Sequence, residues 1–339
     1  MVITRTPFRI SFFGGGTDYP AWYEDNGGAV LSTSIDKYCY ITCRHLPPFF
    51  EHKSRIVWSK TELVRHHDEI QHPAVREALK FLNIDKGVEI HHQGDLPARS
   101  GLGSSSSFTV GLLHALHALN GKMITKYQLM LDAIHLEQER LKENVGSQDQ
   151  AAVAFGGLNK IEFSGHHRIT IRPIPINNEK LDILQNHLMI FFTGMARTAS
   201  EIAAEQIKNT KQKGSELRKM LEIVNEAVKV LHGSADSFDD FGRLLHESWQ
   251  IKRGLSSQIT NPQIDEIYEA GRSAGALGGK LLGAGAGGFM LFFVKPEQQP
   301  VVKEKLSNLL HVPFLKVGCA RCAKGIGSCR RQAVFGNSY

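Results

Sequence analysis

The stretch 101-GLGSSSS-107 follows 95-DLPARS-100 and leads into the apolar run 108-FTVGLLHALHAL-119. Four serines behind two glycines make a poor core and a poor strand. The apolar positions Phe108, Leu112, Ala115, Leu116 and Leu119 recur at helical spacing, which predicts a helix from Ser104. Upstream, 87-GVEIHH-92 is a strand candidate. A strand, a short polar loop and a serine-led helix place free backbone N–H groups at the positive end of a helix. Glycine lets the backbone approach an anion closely, and hydroxyls can meet phosphate oxygens or a metal ion. One serine would suffice as a helix cap, and four exceed that need. The stretch reads as a phosphate loop, with a plain capped turn as the competing account.

The common nucleotide loops do not fit. In G-x-G-x-x-G terms position 106 is serine, and no acidic residue follows ~20 positions on. The segment 283-GAGAGG-288 matches that pattern literally, but it opens a strand rather than a helix. Gly279-Lys280 is followed by Leu281 rather than Ser or Thr, which rules out a Walker A loop. The protein-kinase H-R-D and D-F-G signatures are also missing.

Two further segments carry chemistry. In 7-PFRISFFGGGTDY-19, Arg9 and Asp18 flank a glycine loop, and a carboxylate there can accept hydrogen bonds from a polyol; a turn or cap role for Asp18 is the alternative. In 134-IHLEQERLKENVGSQDQ-150, Glu137 is three residues after Ile134 and four before Leu141, so it shares their apolar stripe, while Glu139 is rotated away. An inward carboxylate needs a partner, and Mg²⁺ beside a phosphate would be one. Asp149, read as a loop residue after Gly146, is a candidate base for a substrate hydroxyl.

The chain of 339 residues is about two domains long. Its 42% apolar and 22% charged content is ordinary for a globular protein. No basic-then-apolar leader follows Met1, and the run 289-FMLFFV-294 is far short of the ~20 residues needed to span a bilayer, so a cytoplasmic protein without a membrane partner is expected. A net charge of +6 favours small anions, but the basic residues are not gathered with aromatics in one stripe, which argues against nucleic acid. The pair Cys319–Cys322 lacks a second pair for zinc, so the five cysteines read as reduced thiols.

Residues 2–13 and 29–43 read as strands joined by the turn 14-GGGTD-18, and 126–143 as a helix. Strand-like pieces follow at 156–163, 168–176 and 188–194. The second half is largely helical, over 198–232, 237–256 and 263–277, before a glycine-rich loop runs from 278 into an apolar strand ending at 294. The pattern predicts two α+β domains with a boundary near 175–185.

Taken together, P-x-R-I-x-F-x-G-G-x-T-D at 7–18, L-P-x-x-x-G-L-G-S-S-S-S at 96–107, G-x-x-D-Q at 146–150 and K-L-x-G-A-G-x-G-G at 280–288 resemble the GHMP kinases. The resemblance covers about residues 1–315. It implies an N-terminal α/β domain with the nucleotide loop, over 1–180, and a ferredoxin-like C-terminal α+β domain over 181–339. Within that superfamily the residues look most like the bacterial heptose 7-phosphate kinase branch, with the fucokinase domain a near relative. Gly15 replaces the glutamate of the galactokinase loop, and 193-TGMARTASEI-202 is a feature of the branch. The implied partners are ATP, Mg²⁺ and a sugar phosphate phosphorylated at its anomeric hydroxyl, for nucleotide-activated heptose and surface polysaccharide. A kinase of a free sugar such as L-fucose and a non-catalytic sugar- or nucleotide-binding regulator are the rival readings; oligomeric state is left open.

Carried over residue by residue, the resemblance assigns Gly101, Leu102, Gly103, Ser104, Ser105 and Ser106 to the ATP phosphates, with Ser105 and Glu137 on Mg²⁺. Asp149 is the catalytic aspartate, braced by Arg9, and it orients the acceptor hydroxyl in a loose transition state. Gly16, Thr17 and Asp18 bind sugar hydroxyls, and Arg197 grips the 7-phosphate. Gly283, Gly285, Gly287 and Gly288 let the second domain's backbone close near the nucleotide. One departure stands out. A final alternating strand is expected after 310-LHVPF-314, but 315–339 is rich in basic residues, Gly and Cys, which puts that strand in doubt.

Overall fold

The computed structural model describes residues 1–98, 100–166, 168–195, 199–233, 238–313 and 316–318. The first half runs β1 (Val2–Phe13), α1 (Pro20–Asn26), β2 (Gly28–His45), β3 (Ser54–Val57), β4 (Thr61–Val64), α2 (Pro73–Phe81) and β5 (Val88–Gly94). It continues with α3 (Ser104–Leu119), α4 (Lys126–Ile134), α5 (Gln148–Phe155), β6 (Leu158–Ser164) and β7 (Arg168–Pro173). After α6 (Asn178–Asn186) come β8 (Leu188–Phe192), α7 (Ala199–Asn209), α8 (Gly214–His232), α9 (Phe238–Arg253) and α10 (Pro262–Ser273). The described chain closes with β9 (Gly278–Leu281), β10 (Phe289–Phe293), α11 (Gln299–Lys305) and β11 (Leu310–Val312).

Strands β1–β7 form one sheet in the order β4-β3-β5-β2-β6-β7, with β1 paired to β2. The 18-residue β2 organises it: β1 runs along one edge, while β6 takes its first half and β5 its second on the other. Among the described residues only β3 and β5 pair in parallel. The register between β1 and β2 shifts between Pro7 and Arg9. Proline has no N–H to give a ladder, so an irregularity there is expected. A bulge re-aims its neighbours. Here the Arg9 N–H donates to Leu102 O at 3.0 Å, and Pro7 O accepts the Ser107 hydroxyl at 2.9 Å. The 101–107 loop is thus docked onto an edge defect of β1. The helix behind it, α3, is buried on nearly every side from Ser106 to Leu113 and packs against β1, β2, α4 and α5.

The second sheet is antiparallel in the order β11-β8-β10-β9. Counted from β8 this is 4-1-3-2, the order of a split βαβ, ferredoxin-like unit. Helices α8 and α9 also reach the first sheet, and the Phe241 ring meets Phe12 and Phe13 edge-on at 5.3 and 5.0 Å.

Several sequence expectations are corrected. A strand lies at Leu310–Val312, and the one expected after 314 falls outside the described residues apart from 316–318, where Val317 bridges Ile35 of the first sheet and the Gly318 N–H donates to Ser34 O. The glycine-rich loop starting at 278 is instead a strand for its first four residues. The helix read at 198–232 breaks between Asn209 and Gly214, where the Thr210 hydroxyl turns back onto Gln206 O. The turn at 14–18 is followed by α1, whose Pro20 occupies the first helical turn. Among the described residues, no helix is long and apolar enough to cross a membrane.

Candidate active site

The four serines divide their work. Gly103 is the N-cap of α3 and has no side chain to cap it, and the first turn of a helix suits an anion. Ser105 is exposed at the mouth, while Ser106 and Ser107 are buried. The Ser106 hydroxyl donates to Glu137 Oε2 at 2.9 Å. Leu102 is a core residue that serves the loop through its carbonyl alone.

Glu137 is 0% exposed and lies in a π-helical turn, His135–Arg140, that continues α4. The Leu141 N–H bonds Leu136 O five residues back, so the stripe is wound more loosely than an α-helix; Glu137 still faces inward and Glu139 is exposed. Glu137 Oε2 also accepts from Gln150 Nε2, while Oε1 is buried without a hydrogen-bond partner. An orphaned carboxylate oxygen beside a hydroxyl, under a helix N-terminus, fits a hard cation such as Mg²⁺ completed by phosphate oxygens. Ser106, rather than the predicted Ser105, is the hydroxyl that touches Glu137; Ser105 faces the open side.

Burial raises the Glu137 carboxyl to about 7, against the opposing effect of Thr109, Gln150 and Ser106. The folded protein therefore holds a proton that the unfolded chain has lost between its ordinary range and 7, and that stability is lost as pH rises through 7. Glu137→Gln should abolish this acid-favouring term in metal-free thermal melts and raise the Mg²⁺ needed for half-maximal turnover by about tenfold or more. A Mg²⁺ titration and melts at pH 6 and 8 check both.

Arg9 is the hub of the site. It is 3% exposed, and its Nε and Nη2 donate to Asp149 Oδ1 and Oδ2 at 2.8 and 2.7 Å. Its Nη1 donates to Gly101 O at 2.7 Å. One planar guanidinium thus fixes an aspartate against the 101–107 loop. Asp149 is not on a loop, as the sequence suggested, but in the first turn of α5, where Ala151–Ala154 bury the opposite face. The Ser147 N–H donates to Asp18 O at 2.9 Å, which pins the start of α5 to the 14–18 turn. Asp18 is buried, its Oδ1 accepts the Gly16 N–H at 2.8 Å, and its carboxyl is raised chiefly by burial and further by Asp149.

Thr17 was expected to bind sugar, but its hydroxyl is fully buried within 2.8 and 3.0 Å of the Gly14 and Ala29 carbonyls. It also accepts the Ala29 N–H at 3.2 Å. It sets the turn, and its one proton is spent there. Arg197 lies outside the described residues.

The second glycine-rich segment meets the first directly. A Cβ at Gly283 would stand 2.6 Å from Gly101 Cα, so two backbones touch where only glycine allows it. Gly288 packs on Ser100 in the same way, whereas Gly285 and Gly287 pack on Ile259 and Met195, within the second sheet's own surroundings. The latter two shape the loop rather than approach the phosphate site.

Two buried lysines complete the cluster. Lys252 donates to Gly283 O at 2.6 Å, and Lys280 donates to Ser11 O and Phe12 O at 2.8 and 2.9 Å. Burial lowers both ammonium groups, Lys252 to about 8, with Asp18 and Asp149 opposing the shift and Arg9 adding to it. Among the described residues no group of three or more His, Cys, Asp or Glu stands ready to hold a metal.

Residues 70–157 match the GHMP kinases N terminal domain and 225–311 the GHMP kinases C terminal. The chain is 30% identical over 310 residues to the D-glycero-alpha-D-manno-heptose 7-phosphate kinase of Campylobacter jejuni, across 87% of this chain and 90% of that one. It belongs to the GHMP kinases. A second relative is the L-fucokinase/L-fucose-1-P guanylyltransferase of Bacteroides fragilis, at 25% identity over 89% of this chain but only 35% of that longer protein. The fold of this GHMP kinase also matches the crystal structure of a D-glycero-D-manno-heptose 1-phosphate kinase from Bacteriodes thetaiotaomicron, with TM-score 0.70, 24% identity and coverage of 96% and 98% of the two chains. The protein is a sugar kinase of the two-domain GHMP type.

Sequence reasoning missed Lys252 and Lys280. The signal for Lys252 was present in 249-WQIKR-253: it follows Trp249 by three, on the stripe of Phe238, Phe241 and Leu245. The same phase argument that singled out Glu137 would have found it. The aromatic group of Trp58, His72, His92 and Phe108 was missed as well, with His72 stacked on Phe108 at 4.7 Å and His92 and Trp58 edge-on nearby. It draws on β3, α2, β5 and α3, and only the fold assembles it.

Proposed function

We propose that this kinase transfers the γ-phosphoryl group of ATP to the anomeric hydroxyl of D-glycero-alpha-D-manno-heptose 7-phosphate, giving the 1,7-bisphosphate. The observation that carries the chemistry is the Arg9 guanidinium, which holds Asp149 with two hydrogen bonds and Gly101 with a third. A phosphate on the first turn of α3 and a hydroxyl aimed by Asp149 are thereby referred to one buried group, so positioning dominates catalysis. The backbone of 101–106 holds the phosphates, and Ser105, Ser106 and Glu137 face the metal. Mg²⁺, when bound, supplies charge neutralisation to the phosphates. Phe108 lies one turn behind the loop, so its aromatic cluster offers the nucleotide base an apolar wall.

Gly16 and Asp18 face the acceptor, Asp149 orients its hydroxyl and takes up the proton, and Lys252 places positive charge beside both carboxylates. Arg197 is assigned to the acceptor's own phosphate. Our division between the domains near residue 180 is supported by the gap between the last strand of the first sheet, ending at Pro173, and the first of the second, starting at Leu188. The choice of heptose is supported by the Campylobacter relative and by Gly15, where a galactokinase-type glutamate is absent. The Bacteroides relative keeps L-fucose as the alternative acceptor.

A panel of heptose 7-phosphate, L-fucose and D-galactose with Mg²⁺-ATP tests the proposal, with phosphorus NMR locating the new ester. A bisphosphate with the new phosphate ester on the anomeric oxygen is expected. No turnover of any heptose 7-phosphate would end the assignment.

A further inference from the structure

We propose that Gln206 of α7, with Gln148 and Ser11, reads the hydroxyl groups of the acceptor sugar over the backbone of Gly15 and Gly16. The inference rests on the sugar-phosphate kinase reading and names the side chains that recognise the polyol.

Gln206 is 4% exposed, yet its Nε2 has no hydrogen-bond partner. A Cβ at Gly16 would stand 2.6 Å from that nitrogen, and Gly16 has φ 117°, so glycine alone fits beneath it. At Gly15, a Cβ would meet Gln148 Nε2 at 3.5 Å and Ser11 Oγ at 3.8 Å. The Gln148 side chain is hydrogen-bonded to Asp18, and its Oε1 is buried without a partner. The Ser11 hydroxyl is buried and equally unpartnered. An amide donor, an amide acceptor and a hydroxyl therefore surround two residues that have no side chains of their own.

Buried polar groups are costly to leave unpaired and are rarely left so. The set also selects its ligand. A sugar hydroxyl both donates and accepts, so adjacent hydroxyls can meet Gln206 Nε2, Ser11 Oγ and Gln148 Oε1 together. An anion would face the Gln148 carbonyl oxygen and the Asp18 carboxylate, so the sugar's phosphate must lie away from this ring. Gln206 comes from beyond the first sheet, whereas Gln148 and Ser11 belong to α5 and β1, so the acceptor is held from both domains.

The test compares wild type with Gln206→Leu and Gln206→Ala, using whichever panel sugar the wild type accepts. The KM for that sugar should rise about tenfold in both variants, with the KM for ATP within about twofold. The free protein should melt no lower in Gln206→Leu, because an unpaired amide has been removed. A lower melting temperature with both KM values shifted together would mean that Gln206 only supports α7, and would overturn the inference. An unchanged sugar KM in both variants would overturn it too. If L-fucose is accepted and heptose 7-phosphate is not, the substrate assignment falls, while the Gln206 shift measured on L-fucose still decides this one.

Discussion

Asp149→Asn is expected to lower kcat by about 10²–10⁴ while leaving the fold and ATP binding in place. The carboxylate is the one group that Arg9 ties to the phosphate loop, and the amide that replaces it can accept only one of the two guanidinium hydrogen bonds. Its NH₂ would face a donor, so the acceptor hydroxyl loses both its aiming point and its proton's destination. Arg9 is almost fully buried and Asp149 about a quarter exposed, so the disturbed pair should cost about 2 kcal/mol, the upper part of the range for an unsatisfied partner and far from unfolding the protein. Steady-state kinetics with the accepted sugar and a nucleotide-binding titration separate the two effects. A kcat within threefold of wild type would remove Asp149 from the chemistry. A loss of ATP binding equal to the loss of rate would instead make Asp149 a prop for the loop.

The parts of this site visible in the sequence are those carried by local pattern. The phosphate loop announces itself because glycine, serine and a 3.6-residue apolar period sit side by side, and Glu137 because one charge interrupts an apolar stripe. Short strands such as 54-SRIV-57 and 61-TELV-64 escaped because four residues show no usable period; the pairing of 54–57 with β5 is decided thirty residues away, and 61–64 pairs only with 54–57. Helix α5 escaped because 148-QDQAAVAF-155 has no side-chain cap and begins two residues after a glycine. Asp149 was found by its motif and misplaced in its element for that reason. Thr17 was misread because its threonine-aspartate signature looks the same whether the hydroxyl faces a ligand or closes a turn. Gln206 and Lys280 became visible as site residues only when the second sheet was laid against the first, since each meets the site through a residue of β1 or of the turn that follows it.

Lys252→Met should lower kcat by about 10²–10³, and Lys252→Arg should remove the alkaline limb expected near pH 8 in the wild-type profile. The groups facing the ammonium are Asp18, Arg9, Asp149 and Lys280. Burial is the largest influence, so the proton leaves far below the ordinary lysine range. The charged form places a cation beside the two carboxylates where the transferred phosphoryl group brings its negative charge. Turnover should therefore fall as pH rises through about 8, and an arginine, which keeps its charge, should not show that fall. Stability runs the other way. The unfolded chain keeps this proton up to the usual lysine range while the folded one releases it near 8, so the folded protein binds fewer protons across that window and gains stability as pH rises. Activity that drops while this contribution to stability climbs is hard to explain by general alkaline unfolding, which lowers both. Rate profiles and thermal melts between pH 7 and 10 on wild type and both variants make the comparison. An alkaline limb that persists unchanged in Lys252→Arg would show that some other group titrates, and would leave Lys252 as a fastener between α9 and the Gly283 loop.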